Sequence, residues 1–227
     1  MNDYKTELDD LVSETESNIY NVEKLIYTNR YNFLPQDFKL ISKQSLVILY
    51  SLWEGFVQES FQIFLKEVDA NINSLYQLNE GFMLSQIEII FKQFQNYPSK
   101  EVSKMKFHRR LNEFALESNH QLNTIVNCKN NVEIDVLNNL FNTYGMEPIP
   151  HNWEDYCHPN NNLKTVLKDF LHYRNNQAHG NRITANVVIE HNEFIIYKKL
   201  VIDLLFEVSR KLEKCLIEKT YLKQETP

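Results

Sequence analysis

Glycine is scarce in this sequence, which has four glycines among its 227 residues. Glycine-rich phosphate loops, dinucleotide-binding folds and sheets with tight hairpins all require more glycine, because they use backbone conformations that other residues avoid. The scarcity therefore excludes a P-loop, a Rossmann fingerprint and most all-β architectures. It predicts long helices that are joined by few turns.

Hydrophobic residues recur at steps of three and four along six segments, which is typical of amphipathic helices. This pattern predicts an all-α helical bundle of five or more helices, with long N- and C-terminal helices. The length of the chain predicts a single domain over residues 1–227. The six predicted helices are residues 3–29, 36–75, 81–97, 131–144, 162–179 and 193–222.

The second predicted helix, residues 36–75, is the most apolar segment and should be contacted on several sides. Gly55 lies inside it, although a glycine there costs roughly 1 kcal/mol relative to alanine. This predicts that another backbone approaches the helix closely at Gly55. The aromatic side chains of this helix are predicted to belong to the core and not to a base-stacking platform. They are Trp53, Phe56, Phe61 and Phe64.

The charge distribution is uneven, although the net charge of the chain is -6. Residues 98–110 hold five basic residues and one acidic residue, so this segment carries +4 and the remainder -10. No global basic field attracts nucleic acid, and any such role must depend on a local patch. The patch could contact RNA phosphates or could be a solvated loop. The candidate RNA-binding residues within it are Lys104, Lys106, Arg109 and Arg110.

Cysteine usage and hydropathy predict a cytoplasmic protein. The three cysteines are odd in number and widely spaced, as expected in a reducing compartment. The acidic, polar start predicts that there is no signal peptide. No stretch reaches the roughly 18 apolar residues that a membrane-spanning helix needs, so no membrane association is expected.

A zinc site is the one cofactor hypothesis that the sequence raises. His151, Cys157 and His158 are the potential ligands. A structural zinc site uses four ligands in short paired spacings, and adjacent residues rarely both point at one metal. We therefore predict no metal and no other cofactor.

The stretch HYRNNQAHGNR, residues 172–182, carries the candidate chemistry. Arg174 offers a planar, permanently charged group for a phosphate, and His179 can transfer protons near neutral pH. Together they could cleave RNA without a metal, because the 2′-hydroxyl of the substrate serves as the nucleophile. Alternatively, His179 is a helix C-terminal cap before Gly180 and Arg174 is a surface residue. Arg182, just past this pair, is a further candidate phosphate contact.

The motif Arg174-Asn175-Asn176-Gln177-Ala178-His179 resembles the Arg–Asn–x–x–x–His signature of the HEPN superfamily. The other pieces are similar to the standalone HEPN proteins of the MAE_28990/MAE_18760 type and the related RiboL-PSP-HEPN group. These pieces run in order from about residue 40 to 223, which is most of the chain. They are LYSLWEGFVQES at 49–60, NVEIDVLNNLFNTYGM at 131–146 and KTYLK at 219–223.

The resemblance implies a helical endoribonuclease that acts as a homodimer, with two motifs facing each other across a composite cleft. Such nucleases work without a metal, leave a cyclic phosphate, and serve as toxins or in antiphage defence beside a partner protein such as an antitoxin. By resemblance, Arg174 binds the phosphate, His179 is the acid and base, and Asn175 orients the motif. Glu54 is a candidate supporting residue that pairs with Arg174, or else part of a structural salt bridge.

One departure from the pattern of HEPN toxins concerns their regulation. Some HEPN toxins carry a tyrosine two residues after the histidine, where this chain has Asn181, so regulation by modification of that tyrosine is not expected. The acidic N-terminal segment and the low isoelectric point also fit a non-catalytic helical module. Such a module would bind a partner protein or a nucleotide.

Overall fold

The computed structural model describes residues 2–28, 30–94, 96–116, 121–126, 131–153, 160, 162–178 and 188–224. The regular elements within these ranges are all helices, and the ranges contain two isolated β-bridges but no strand. The all-α prediction is therefore confirmed. The helices are α1 (Asn2–Tyr27), α2 (Pro35–Asn71), α3 (Glu80–Ile90), α4 (Glu101–Leu116), α5 (Ile134–Thr143), α6 (Leu163–Ala178) and α7 (His191–Glu218).

Helix α2 is the centre of the bundle, because α1, α6 and α7 all pack against it. It begins at Pro35, whose fixed φ suits the first helical position, and it ends before Ile72, which is extended. The predicted aromatic core residues are confirmed, since each is at most 2 % exposed. One continuous cluster of buried side chains extends from α1 to α7. This cluster fixes the position of α6, which carries the candidate motif.

Gly55 does not mark a close approach within the chain. It lies on the exposed face of α2, and a Cβ atom built there would meet nothing within 4 Å. The prediction of a tightly packed backbone was wrong, because α1, α6 and α7 cover the other sides of α2 and leave this face open. Glu54, the preceding residue, is turned toward α6 instead.

Gly145 is the glycine whose conformation and surroundings do require glycine. Helix α5 ends at Thr143, and Gly145 follows with φ of +81°, a left-handed conformation that favours glycine. A Cβ atom there would also clash with the carbonyl oxygen of Thr220. The close approach expected at Gly55 therefore occurs here, where α5 meets the chain after α7.

The segment between α3 and α5 differs most from the prediction. The predicted helix 81–97 ends at Ile90, and a short 3₁₀ turn follows at Lys92–Phe94. Most of the basic segment, residues 101–110, belongs to helix α4 and is not a loop. Aromatic packing explains both differences, because a cluster of rings joins the turn to α4. The cluster consists of Phe91, Phe94, Tyr97, Phe107 and Phe114.

Candidate functional site

Arg174 lies near the C-terminal end of α6, between an aromatic ring and a carboxylate of α2. Its guanidinium carbon is 4.7 Å from the centroid of the Tyr50 ring, and its Nη2 is 3.6 Å from Oε2 of Glu54. Tyr50 and Glu54 share one face of α2 because they are four residues apart. The Arg174 and Glu54 side chains are 19 % and 17 % exposed, so a cation–π contact and an ion pair hold the guanidinium at the edge of the core.

Phe170, one turn before Arg174 on α6, aligns the two helices at this point. It is fully buried, and its ring meets the ring of Tyr50 edge-to-face with a centroid separation of 5.1 Å. On its other side it stacks with Tyr197 of α7 at 4.9 Å. Because Phe170 and Arg174 lie on the same face of α6, the core packing of Phe170 also aims Arg174 at α2.

Tyr50 has a second contact that fixes the orientation of its ring. Its hydroxyl oxygen accepts a hydrogen bond from the backbone N–H of Val132 at 2.8 Å. Trp53 donates from its indole nitrogen to the carbonyl oxygen of Val132 at 3.3 Å. Burial raises the pKa of Tyr50, although the bonds from Val132 and Arg174 oppose this effect. The hydroxyl is therefore neutral at physiological pH. Through the two bonds at Val132, α2 also holds the segment that precedes α5.

Three buried polar atoms beside the motif have no close hydrogen-bond partner among the residues that the structure describes: Oε1 of Glu54, the hydroxyl of Tyr173 and Nε2 of Gln177. The Tyr173 hydroxyl and the Gln177 amide face each other, since Gln177 acts on the pKa of Tyr173 through a side-chain hydrogen bond. Buried polar atoms normally have a partner, because leaving one without a bond costs about 1–3 kcal/mol. Oε1 of Glu54 can therefore accept a further donor.

The remaining predicted residues of the motif are only partly within the described chain. Asn175 follows Arg174 on α6 and is half-buried. His179 and Arg182 lie outside the described residues. The structure thus brings Arg174 and Glu54 together, as the sequence predicted, and the catalytic roles of Arg174, Asn175 and His179 stay predictions.

The four predicted RNA-binding cations of α4 form a separate group. Lys106 and Arg109 are exposed. The ammonium of Lys104 is 5.5 Å from the centroid of Tyr97, and the guanidinium carbon of Arg110 is 5.6 Å from that of Phe91. Within the described residues, α4 has no substantial packing contact with α6.

The zinc hypothesis concerns residues that are mostly outside the described chain. Cys157 and His158 are not described, and Nε2 of His151 lies 3.2 Å from Oδ1 of Asp135. Lys164 pairs with the other oxygen of Asp135 at 2.8 Å, and these contacts lower the pKa of its carboxyl group. No group of three or more His, Cys, Asp or Glu side chains converges among the described residues.

None of the described helices is both long and apolar enough to cross a membrane.

A comparison with protein families decides which kind of bundle this is. The model of the MAE_28990-like HEPN domain matches residues 5–221, which is nearly the whole chain. The chain belongs to the MAE_28990-like HEPN family. No curated protein and no solved structure gives a significant match. HEPN membership is compatible with a nuclease or with a helical HEPN module.

Tyr50 is the residue of this HEPN site that the sequence did not indicate. It touches Arg174 directly, yet its position in an apolar helix is also typical of a core aromatic residue. The available signal was its spacing, because Tyr50 precedes Glu54 by one helical turn. A residue that supports the same arginine should lie at that interval.

Proposed function

We propose that this HEPN protein is a metal-independent endoribonuclease that acts in the cytoplasm, in a bacterial toxin–antitoxin or antiphage defence system. The 2′-hydroxyl of the RNA attacks the adjacent phosphorus atom, the 5′-oxygen leaves, and the product ends in a 2′,3′-cyclic phosphate. Arg174 and His179 carry this reaction. The observation that supports it most is the placement of Arg174 at the edge of the core in a chain of the HEPN family.

The contacts of Arg174 suit a residue that stabilises a phosphate. Its separation of 3.6 Å from Glu54 is longer than a hydrogen bond, so the ion pair orients the guanidinium mainly through charge. The Tyr50 ring supports its planar face. A guanidinium oriented in this way needs little reorganisation when negative charge develops on the phosphate oxygens.

His179 is the acid and base of the proposed reaction. As a base it removes the proton of the 2′-hydroxyl, and as an acid it donates a proton to the leaving 5′-oxygen. Asn175 orients the motif. Since one imidazole cannot hold both protonation states at once, two histidines facing each other in a homodimer would divide these two roles.

Glu54 is proposed as a positioning residue, since it acts through Arg174 and not on the substrate. Its carboxylate offsets part of the arginine's charge and limits the directions in which the guanidinium can turn. It differs from a merely structural salt bridge in one testable way. Glu54→Gln should lower the rate of cleavage strongly, whereas the free energy of unfolding should change little.

The cations of α4, together with Arg182, are proposed to bind the RNA backbone. Lysine and arginine contacts to phosphates supply affinity that does not depend on sequence and that weakens with salt. The net charge of +4 on residues 98–110, against -10 elsewhere, would direct RNA toward this surface. Substrate binding and cleavage would thus involve different parts of the chain.

Cleavage of RNA in EDTA tests the proposal. We expect the wild-type protein to cleave single-stranded RNA in the chelator and to leave a cyclic phosphate, and Arg174→Ala and His179→Ala to lose about 100-fold or more in rate. Lys168→Ala, an exposed change on the same helix, is the control and should cleave normally.

Each result of this experiment has a defined consequence. Full activity in Arg174→Ala and His179→Ala would contradict the mechanism. If the wild-type protein cleaves RNA without EDTA but not in its presence, the reaction belongs to a metal site. An absence of cleavage by every form of the protein, with or without its partner protein, would favour the non-catalytic HEPN module.

A further inference from the structure

A cavity with aromatic walls lies where three helices of the bundle meet. It has a volume of about 340 Å³, between the end of α1, the start of α2 and the start of α7. Asn32 and Glu190 contribute polar groups to its lining. Pockets that bind small planar ligands are typically apolar and aromatic, with a few polar groups that set orientation. The rings that line it are Tyr27, Tyr31, Phe33, Phe38 and His191.

The back wall of the cavity is rigid. Tyr27 and His191 stack with ring centroids 5.0 Å apart and ring planes 9° from parallel. The hydroxyl of Tyr27 contacts the hydroxyl of Ser45 at 2.9 Å and donates to the carbonyl oxygen of Ile189 at 3.2 Å. His191 is held in turn by Glu23, whose Oε1 is 2.8 Å from its Nε2. These bonds fix both rings before any ligand enters.

The other side of the cavity has accessible rings. Tyr31 is 47 % exposed, and its ring centroid is 6.0 Å from that of Phe33. The guanidinium carbon of Arg30 lies 5.9 Å from the Tyr31 ring. Exposed aromatic rings beside a cation are the arrangement on which single-stranded nucleic acids stack their bases, with the cation near the phosphate.

The cavity is linked to the candidate cleavage motif along the chain. Glu190 precedes and His191 begins the helix that follows the motif, and residues 179–187 separate the last described residue of α6 from residue 188. Burial raises the pKa of Tyr27 to about 12, and the neighbouring Glu193 and Tyr173 act in the same direction. Under the proposed function, the bound RNA would supply a ligand for the cavity.

We propose that this cavity binds an unpaired guanine base. The inference rests on the proposed function only in taking RNA as the molecule that supplies this base. The side chain of Glu190 makes no capping hydrogen bond to α7, so its carboxylate is available as an acceptor. Guanine alone among the four bases presents two adjacent donors, N1–H and N2–H, which match the two oxygens of a carboxylate. Asn32 can donate to its O6, and Tyr31 stacks on its plane.

Titration with nucleosides, which carry no phosphate, tests this cavity independently of cleavage. Guanosine, adenosine, cytidine and uridine are added in turn to the full chain, and binding is followed by saturation-transfer NMR. We expect guanosine to bind most tightly and Tyr31→Ala to weaken it about tenfold. Tyr76→Ala is a matched control, because Tyr76 is 48 % exposed and lies outside the cavity. Glu190→Gln should abolish the preference for guanosine.

The outcomes separate this inference from the proposed nuclease. Guanosine binding that Tyr31→Ala removes, in a protein that cleaves no RNA, supports the cavity and contradicts the nuclease. Cleavage of RNA by a protein that binds no nucleoside, or binds all four equally, overturns the guanine assignment. The dinucleotide GpU should displace guanosine. If it does not, the cavity binds a free nucleoside, and the inference that RNA supplies the base is wrong.

Discussion

The α2–α6 interface and helix α4 of this HEPN protein both place a cation on an aromatic ring, and they differ in what else surrounds the charge. At the α2–α6 interface Arg174 lies 4.7 Å from Tyr50, with Glu54 at 3.6 Å. In α4, Arg110 lies 5.6 Å from Phe91, and no ion pair to a carboxylate is present for it among the described residues. The ring contact is shared, but only the first cation has an acidic partner.

Burial and an acidic partner distinguish a positioned charge, whose direction is restricted, from an attracting charge, which only draws RNA to the surface. Arg174 is set by the main core, through Phe170, and by Glu54, so its direction is restricted. Lys104 and Arg110 of α4 lie on a small aromatic cluster at the surface, and no ion pair to a carboxylate joins either of them within the described part of the chain. The first arrangement suits a chemical step that needs geometry, and the second suits binding that needs only charge.

The two regions should differ most in how they contribute to stability. Phe170→Ala should lower the free energy of unfolding by about 3–5 kcal/mol, because it removes a fully buried ring from the main core. Phe107→Ala should instead release α4 locally, since Phe107 packs within the small aromatic cluster. Urea denaturation and hydrogen exchange in α4 measure the two effects. Equal losses of global stability would show that the regions form one cooperative unit.

Lysine substitutions compare the two arginines while retaining their charge. Arg174→Lys should lower kcat/KM for RNA cleavage about 100-fold, because lysine lacks the planar group that lies on Tyr50 and that is proposed to bind the phosphate. Arg110→Lys should change it less than about threefold, because a point charge still attracts phosphate. Comparable losses in both variants would remove the distinction between positioned and attracting charges.

Tyr50→Phe isolates the hydroxyl of the residue that supports Arg174. The ring remains, but the backbone N–H of Val132 loses its acceptor, which should lower the free energy of unfolding by about 1–3 kcal/mol. Thermal unfolding measures this loss, and Tyr76→Phe on the surface is the control. The kcat of cleavage should also fall, because the hydroxyl no longer anchors the ring at Val132 and no longer bonds to Arg174. A kcat equal to that of the wild type would show that packing of the ring alone positions Arg174.

Gly55→Ala should give the smallest effect, and it is favourable. The added methyl group meets nothing within 4 Å, so helix propensity should raise the free energy of unfolding by up to about 1 kcal/mol. The melting temperature measures this gain. Gly145→Ala is the contrasting variant and should destabilise the protein, because it combines a positive φ with a clash at Thr220. A lower melting temperature for Gly55→Ala would show that something packs on that face.

The sequence predicted the bundle well, because helical periodicity in long amphipathic segments is a strong signal. It failed where tertiary packing decided the outcome. The start of α4 is rich in lysine and could be helix or loop until Phe107 meets Phe91 and Tyr97. Gly55 has no local mark that tells an open helix face from a crowded one. The prediction of a single domain stays a prediction.

The candidate site was only partly predictable for a similar reason. Glu54 and Arg174 were paired correctly because their motifs are recognisable in order along the chain. Tyr50 and the aromatic cavity were missed, since both are assembled from ordinary core residues. Whether a ring supports an arginine or fills the core depends on contacts that no spacing specifies.

Tyr50 connects two distant parts of the chain, through a hydrogen bond at its hydroxyl and a cation–π contact at its ring. Its hydroxyl is anchored to Val132, before α5, while its face carries the guanidinium of Arg174. A partner that pulls residues 131–133 away from α2 would free the ring to rotate and would disturb the arginine without touching it. An inhibitor of the proposed nuclease activity could therefore act from the side of the bundle where α5 begins.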